Sequence, residues 1–222
     1  VGKELAGARL RVDGQLLADS GLGPIRSLPV PASEPAAALK AGGSLRLAGG
    51  NLRLHDLQAK AGASGSGGLL RLETLVDPRR GGGDVGRLRL DQTTLAGGAL
   101  QVRSGAALVI RDLQARITDP EGSGAVQLQT SLDPDMAGRL RLERAAISGG
   151  AIRLEAGRLL RGQCLNLQTQ ANDDAIRIHS GGTLDLNAVV MNAAGGAGRV
   201  LLQTGQPDSW AGGGTLRLRS VQ

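Results

Sequence analysis

Two histidines, His55 and His179, one cysteine, Cys164, and a scatter of carboxylates are the side chains from which catalysis could be assembled in this chain. Each histidine directly follows a short apolar step ending at Leu54 or Ile178, and a lone histidine there reads as a surface or corner residue rather than a ligand. One cysteine and two distant histidines make no zinc set, and no His-Glu-x-x-His spacing occurs. Cys164 precedes Leu165 and Leu167, so it reads as a buried small hydrophobe and not a nucleophile. Ser64 and Ser66 lie in AGASGSGG, a turn composition. Gly81-Gly82-Gly83-Asp84-Val85-Gly86 has the outline of a calcium-binding nonapeptide turn but occurs once, and such sites need successive units to complete each ion's shell. No phosphate-binding GxxxxGK[ST] loop is present, and no glycine cluster opens a dinucleotide-binding helix. The expectation is therefore no cofactor, no metal and no catalytic residue.

An enzymatic alternative has to be weighed. Asp119, Asp133 and Asp135, with Arg111 or Arg116, could form the acid-and-arginine face on which acidic polysaccharides are cleaved. Asp119 and Asp133, however, stand beside Pro120 and Pro134, which marks them as turn formers.

Arginine offers a different chemistry. Of 26 basic residues 23 are arginine, against 20 acids, for a net charge of +6. Arg46, Arg53, Arg71, Arg89, Arg141, Arg153, Arg177 and Arg217 each sit between two apolar residues. Stacked strands would line several of them up as a ladder that binds an anionic or sulfated glycan, or a neighbouring subunit's acids. Neighbouring arginines repel unless acids such as Glu73, Asp91, Glu143, Glu155 or Asp185 intervene. The bases are interleaved with acids and form no tract denser than Arg79-Arg80, which favours a solvated strand face for most of them and argues against a nucleic-acid partner.

The elements that must carry these residues are short. Apolar-x-apolar steps recur from Leu45/Leu47 and Leu52/Leu54, through Leu88/Leu90 and Leu140/Leu142, to Leu216/Leu218. A polar residue in the middle of each step sends one side chain inward and the next to water. The steps are three to five residues long and punctuated by Gly-Gly, Ser-Gly or Asp-Pro, which leaves no room for amphipathic helices. Glycine supplies 36 of 222 residues, Phe and Tyr are absent, and Trp210 is the only ring, so an aromatic-lined pocket is excluded. No apolar stretch approaches the roughly 20 residues of a membrane-spanning helix. A single cysteine rules out an intrachain disulfide. The opening Val-Gly-Lys-Glu-Leu has neither an initiator methionine nor an export signal, as in a mature or excised piece.

A longer period lies above the steps. GRLRLDQTTLAGGALQV (86–102) returns as GRLRLERAAISGGAIRL (138–154), and stretches 45–72, 100–128 and 176–202 place their apolar pairs at nearly equal offsets. Residues 44–222 thus divide into three degenerate super-repeats, about 44–97, 99–149 and 175–222, with a shorter insert at 151–173. A strand this short cannot bury its apolar face alone; winding the strands into a coil lets each turn cover its neighbour. The expected fold is all-β, a single-stranded right-handed parallel β-helix (β-solenoid) with glycine and asparagine at its corners. At about 20 residues a turn it has roughly nine rungs and a length of about 40 Å. Residues 1–43, with Pro24, Pro29, Pro31 and Pro35, form an irregular N-terminal cap or extended arm.

The pattern GGxLxLxxGxLxLxxxxxxAGxxGxGGxLxL, seen at 42–72 and again in GGTLDLNAVVMNAAGGAGRVLL (181–202), resembles the central repeats of filamentous-haemagglutinin-type exoproteins, the β-helical adhesins of bacterial two-partner secretion. The resemblance covers residues 44–222 and lacks the Asn-Pro-Asn turns of that family's secretion domain. It implies a right-handed β-helix, a secreted or bacterial cell-surface location, and a non-catalytic structural role in adhesion or surface-filament formation. Two alternatives stand beside it: a self-polymerising fibre subunit joined end to end through the solenoid ends or the N-terminal arm, and a β-helix that binds or cleaves acidic polysaccharide.

Overall fold

The computed structural model describes residues 4–5, 8–13, 17–19, 26–27, 37–41, 45–49, 51–61, 68–74, 86–117, 124–132, 138–172, 175–194, 198–205 and 214–222. Among them every regular element is a β-strand. The chain alternates between two sheets. One contains β7 (Asn51–His55), β8 (Leu57–Ala61), β10 (Leu88–Gly97), β12 (Ala107–Ile117), β14 (Arg139–Gly149), β16 (Leu159–Thr169), β18 (Thr183–Ala193) and β20 (Thr215–Val221). The other contains β6 (Leu45–Gly49), β9 (Leu69–Thr74), β11 (Ala99–Ser104), β13 (Val126–Thr130), β15 (Ile152–Ala156), β17 (Ile176–Ser180) and β19 (Val200–Thr204). All neighbours in these two stacks pair in parallel.

Register explains why these residues make these strands. Leu52, Leu88, Leu108, Leu140, Leu160, Leu184 and Leu216 are successive Cα partners, seven leucines in one column. The first six are at most 2% exposed. In the second sheet Leu70, Leu100, Val126, Ile152 and Ile176 form a column that is 0% exposed. At about 2 kcal/mol for each leucine buried, the columns are the main source of stability, and rings have no place in them. Leu88 to Leu108, and Leu140 to Leu160, are 20 residues apart, the minimum that carries the chain once through both sheets. Larger spacings, such as that from Leu52 to Leu88, contain connections outside the described residues. Residues 152–156 and 159–169, read from sequence as part of an insert, form β15 and β16 in the middle of the two stacks.

The long strands of the first sheet differ from the short steps expected. Each carries one residue in left-handed backbone conformation: Asp56 between β7 and β8, then Gln92, Asp112, Arg144, Cys164, Ala188 and Ser220, with φ between 49° and 54°. These positions are in register from turn to turn. Each inserts an extra residue, so that inward positions run Leu108, Ile110, then Leu113, Ala115, Ile117, and the strand turns a corner without leaving the sheet. The expectation of glycine or asparagine at the corners is therefore corrected here: none of the seven is either. Left-handed backbone costs an ordinary residue about 1 kcal/mol, and the parallel hydrogen bonds to the turns above and below hold each in place; the Asp56 N–H, for example, donates to the Asp91 carbonyl at 3.1 Å.

A second corner, at the end of the second sheet's strands, is lined by buried hydroxyls. Thr74 Oγ1 donates to the Gly86 carbonyl at 2.8 Å, and Ser180 Oγ to the Thr183 carbonyl at 2.8 Å. Each hydroxyl thereby finds a partner at the bend, where the Gly86 carbonyl also accepts from the Ala106 N–H at 3.0 Å.

At the amino-terminal end the pairing changes sign. β1 (Glu4–Leu5) and β2 (Ala8–Asp13) are antiparallel, β2 is antiparallel to β7, and β3 (Leu17–Asp19) is antiparallel to β6. β4 (Arg26–Ser27) pairs antiparallel with β5 (Ala37–Ala41), which continues parallel onto β8. The outer edges of the first parallel strands are thereby occupied. Pro24, Pro29, Pro31 and Pro35 lie outside the described residues.

Candidate functional site

The outward slots carry whatever recognition chemistry the described residues offer, and the structure sorts them by face. The eight arginines singled out from sequence do not form one ladder. Arg46, Arg71, Arg153 and Arg177 belong to the second sheet, where Arg46 partners Arg71 and Arg153 partners Arg177. Arg53, Arg89, Arg141 and Arg217 belong to the first, where Arg53 partners Arg89, while Val109 stands between Arg89 and Arg141 and Asp185 beneath Arg217.

Acids neutralise three of the seven whose side chains are described. Arg71 Nε lies 3.2 Å from Glu73, Arg89 Nε 2.5 Å from Asp91, and Arg141 is paired with Glu143. Three further pairs cross from one turn to the next: Arg111 with Glu143 at 3.0 Å, Arg161 with Asp185 at 3.1 Å, and Asp112 with Arg144 through two bonds of 2.5 and 2.8 Å. Arg161 and Arg144 were passed over in the sequence. Arg161 is followed by Gly162 and so lacks the apolar-x-apolar signature, and Arg144 occupies a corner. Hydrogen bonding to Arg144 holds Asp112 below the ordinary carboxylate range, against a smaller opposing effect of burial, with the Arg144 and Arg111 charges adding to the depression. Arg144 is raised in turn, first by its hydrogen bond to Asp112.

Arg53, Arg153, Arg177 and Arg217 make no ion pair among the described residues, and Arg177 Nε is buried without a hydrogen-bond partner. Arg153 and Arg177 are thus two adjacent guanidiniums on one face with capacity for an anion.

The later halves of the first sheet's strands have a different outer surface. Ala146, Ser148, Asn166, Gln168, Val190 and Asn192 carry no charge there. Two shallow clefts of about 550 and 420 Å³ lie over this face and share Arg116, Ser148 and Gln168 in their walls.

The chemistry-bearing residues are dispersed. His55 Nδ1 lies 2.6 Å from Asp56, and His179 Nε2 is 3.0 Å from the Gly205 carbonyl, at the opposite end of the stack. Cys164 is exposed at its corner, which corrects the buried position expected for it; the extra corner residue shifts the inward sequence to Leu165 and Leu167. Arg111 is committed to Glu143, and Arg116 is exposed. Asp119, Asp133, Asp135, Ser64, Ser66 and Gly81 to Val85 lie outside the described residues. Among the described residues no three His, Cys, Asp or Glu side chains converge as a metal site, and no helix is long and apolar enough to cross a membrane.

None of the family models, curated proteins or solved structures compared with the chain matches it.

Proposed function

We propose that the two stacks are faces of one single-stranded, right-handed parallel β-helix. In this reading the chain is a non-catalytic structural β-solenoid of a bacterial secreted or cell-surface protein, acting in adhesion or as part of a surface filament. The observation that carries this is the column of seven register-matched leucines, which makes one turn of the chain the template for the next and yields a stiff rod. Counting one coil for each strand from β6 to β19 in the second sheet gives seven coils among the described residues, fewer than the nine that a uniform 20-residue coil predicts, because several connections are longer. The fixed interior leaves the outward residues free to differ from face to face, as an adhesive rod requires. Beads coated with the chain should adhere to epithelial monolayers well above albumin-coated beads, and the chain should release no unsaturated product from uronate polymers. Adhesion no better than albumin would end this reading.

Arg153 and Arg177 favour a second reading, in which the second sheet's face holds an acidic or sulfated glycan. Replacing both by glutamine should then lower the salt needed to elute the chain from a heparin column, and an unchanged elution would contradict it.

A further inference from the structure

The left-handed corner splits each long strand of the first sheet into two outer surfaces of opposite character. Before the corner the outward slots are dense in charge, as with Arg89 beside Asp91 and Arg141 beside Glu143. After it, one column runs Gln58, Thr94, Gln114, Ala146, Asn166, Val190, and the next Lys60, Ala96, Arg116, Ser148, Gln168, Asn192. That surface holds no acid, and its bases are Lys60 and Arg116 alone. A face kept only for solubility draws on charged residues; this one is made of amides, hydroxyls and small aliphatics.

The surface is also concave. The two clefts over it share Arg116, Ser148 and Gln168, and so join into one groove. Its walls take residues from β10, β12, β14, β16 and β18, so it runs along the stack for four steps of about 4.8 Å, or about 19 Å. Its hydrogen-bonding capacity is largely unspent. Gln114 and Asn192 have no side-chain partner among the described residues. Gln168 Nε2 gives one of its two hydrogens to Asn166 Oδ1 at 3.2 Å, which leaves Gln168 Oε1 and Asn166 Nδ2 for the groove. Ala146 and Val190 are exposed on either side of Asn166 in its column and supply an apolar floor.

These groups select an uncharged ligand that donates and accepts at once. A carboxylate would face the amide oxygens, and a cation would meet Arg116. Sugar hydroxyls match the amides in both roles. Repeat length narrows the class further. An extended peptide advances about 3.3 Å a residue and falls out of step with the turns, whereas a hexose in an extended 1,4-linked chain is about as long as one turn is tall. We infer that the groove binds a neutral, ribbon-like β-1,4-linked glycan along the stack, its hydroxyls bonded to Gln114, Asn166, Gln168 and Asn192 and its C–H faces on Ala146 and Val190. The face carries no ring on which a sugar could stack, so each sugar binds weakly and affinity grows with the number of turns engaged. This face is separate from that of Arg153 and Arg177, and the inference rests on neither the adhesive role nor the acidic-glycan reading.

The test is fluorescence anisotropy of the intact chain with cellohexaose carrying an uncharged dye. Binding should saturate, persist at high salt, and be weaker for labelled cellobiose. Asn166→Ala with Gln168→Ala, both on the outer face, should lower the affinity about tenfold through two lost hydrogen bonds, with the melting temperature unchanged. Arg153→Gln with Arg177→Gln should leave cellohexaose binding as it is. Absence of saturable binding, loss of binding at high salt, or an affinity unmoved by the Asn166 and Gln168 substitutions would overturn the inference. So would equal affinity for the coiled α-1,4-linked maltohexaose, or for an uncharged peptide of alternating serine and glycine.

Discussion

The inner turns and the last turn are built from the same residue types in the same register, yet differ in what burial they achieve. Leu140 and Leu142 in β14 are 0% exposed; Leu216 and Leu218, at the equivalent positions of β20, stand nearly half exposed. The difference lies in the neighbours and not in the strands. A short strand with an alternating pattern has one side of its inward residues covered by the turn below and the other by the turn above, and β20 has no described turn above it. At the opposite end, β2 and β3 supply the missing neighbour by running antiparallel onto β7 and β6. Stability in this molecule is therefore a property of adjacent pairs of turns.

The largest consequence is a position effect at constant chemistry. Leu142→Ala should cost about 3 kcal/mol in urea unfolding, and Leu218→Ala less than about 1 kcal/mol; equal losses would break the distinction between inner and last turns. Close approach between turns should come next. A Cβ on Gly181 would lie 2.2 Å from the Gly157 carbonyl oxygen, a backbone atom, so Gly181→Ala should cost about 2 kcal/mol. Gly162 replaces a leucine in the inward column, and a Cβ there meets the side-chain ends of Leu165 and Leu186 at 2.6 and 2.9 Å. Those groups can move, and Gly162→Ala should cost about 1 kcal/mol or less. Smaller still, and opposite in sign, is the corner: Ala188 has φ 53° and is exposed, so Ala188→Gly should raise stability by about 0.5 kcal/mol.

The smallest effect belongs to Asp112. Its carboxyl is held below the unfolded value, so its contribution is present above the ordinary carboxylate range and is lost as pH falls through the depressed value. Asp112→Asn should slightly reduce the drop in melting temperature between pH 7 and pH 3. The effect stays slight because both partners of the pair are solvent-accessible, with relative exposures of 61% and 38%.

The inward pairs were legible because a strand with one buried face needs an aliphatic residue at every second position, and Leu88/Leu90 or Ile176/Ile178 display it without interruption. The corners were not, because the left-handed positions share a backbone conformation and no side-chain type; their trace is a skipped residue, as in Leu108-x-Ile110-x-x-Leu113. That skip joins two apparent short strands into one bent strand and moves Cys164 from inside to outside. The partition of arginines between two faces was equally hidden. Arg71 and Arg89 have the same apolar neighbours in sequence, and only the alternation of the chain between sheets separates them. Ion pairs across turns, such as Asp112 with Arg144, depend on a register that connections of unequal length conceal.

The central claim, that successive turns lie on one another in a single register, is tested most directly by paired cysteines on the outer face. Gln101 and Gln127 are Cα partners 26 residues apart, which parallel pairing places about 4.8 Å from one another. With Cys164→Ser as background, Gln101→Cys with Gln127→Cys should be bridged rapidly by a short thiol-crosslinking reagent, and Gln101→Cys with Gln129→Cys should be bridged much more slowly. Equal rates for the two pairs, or faster bridging of the second, would contradict the stacked register.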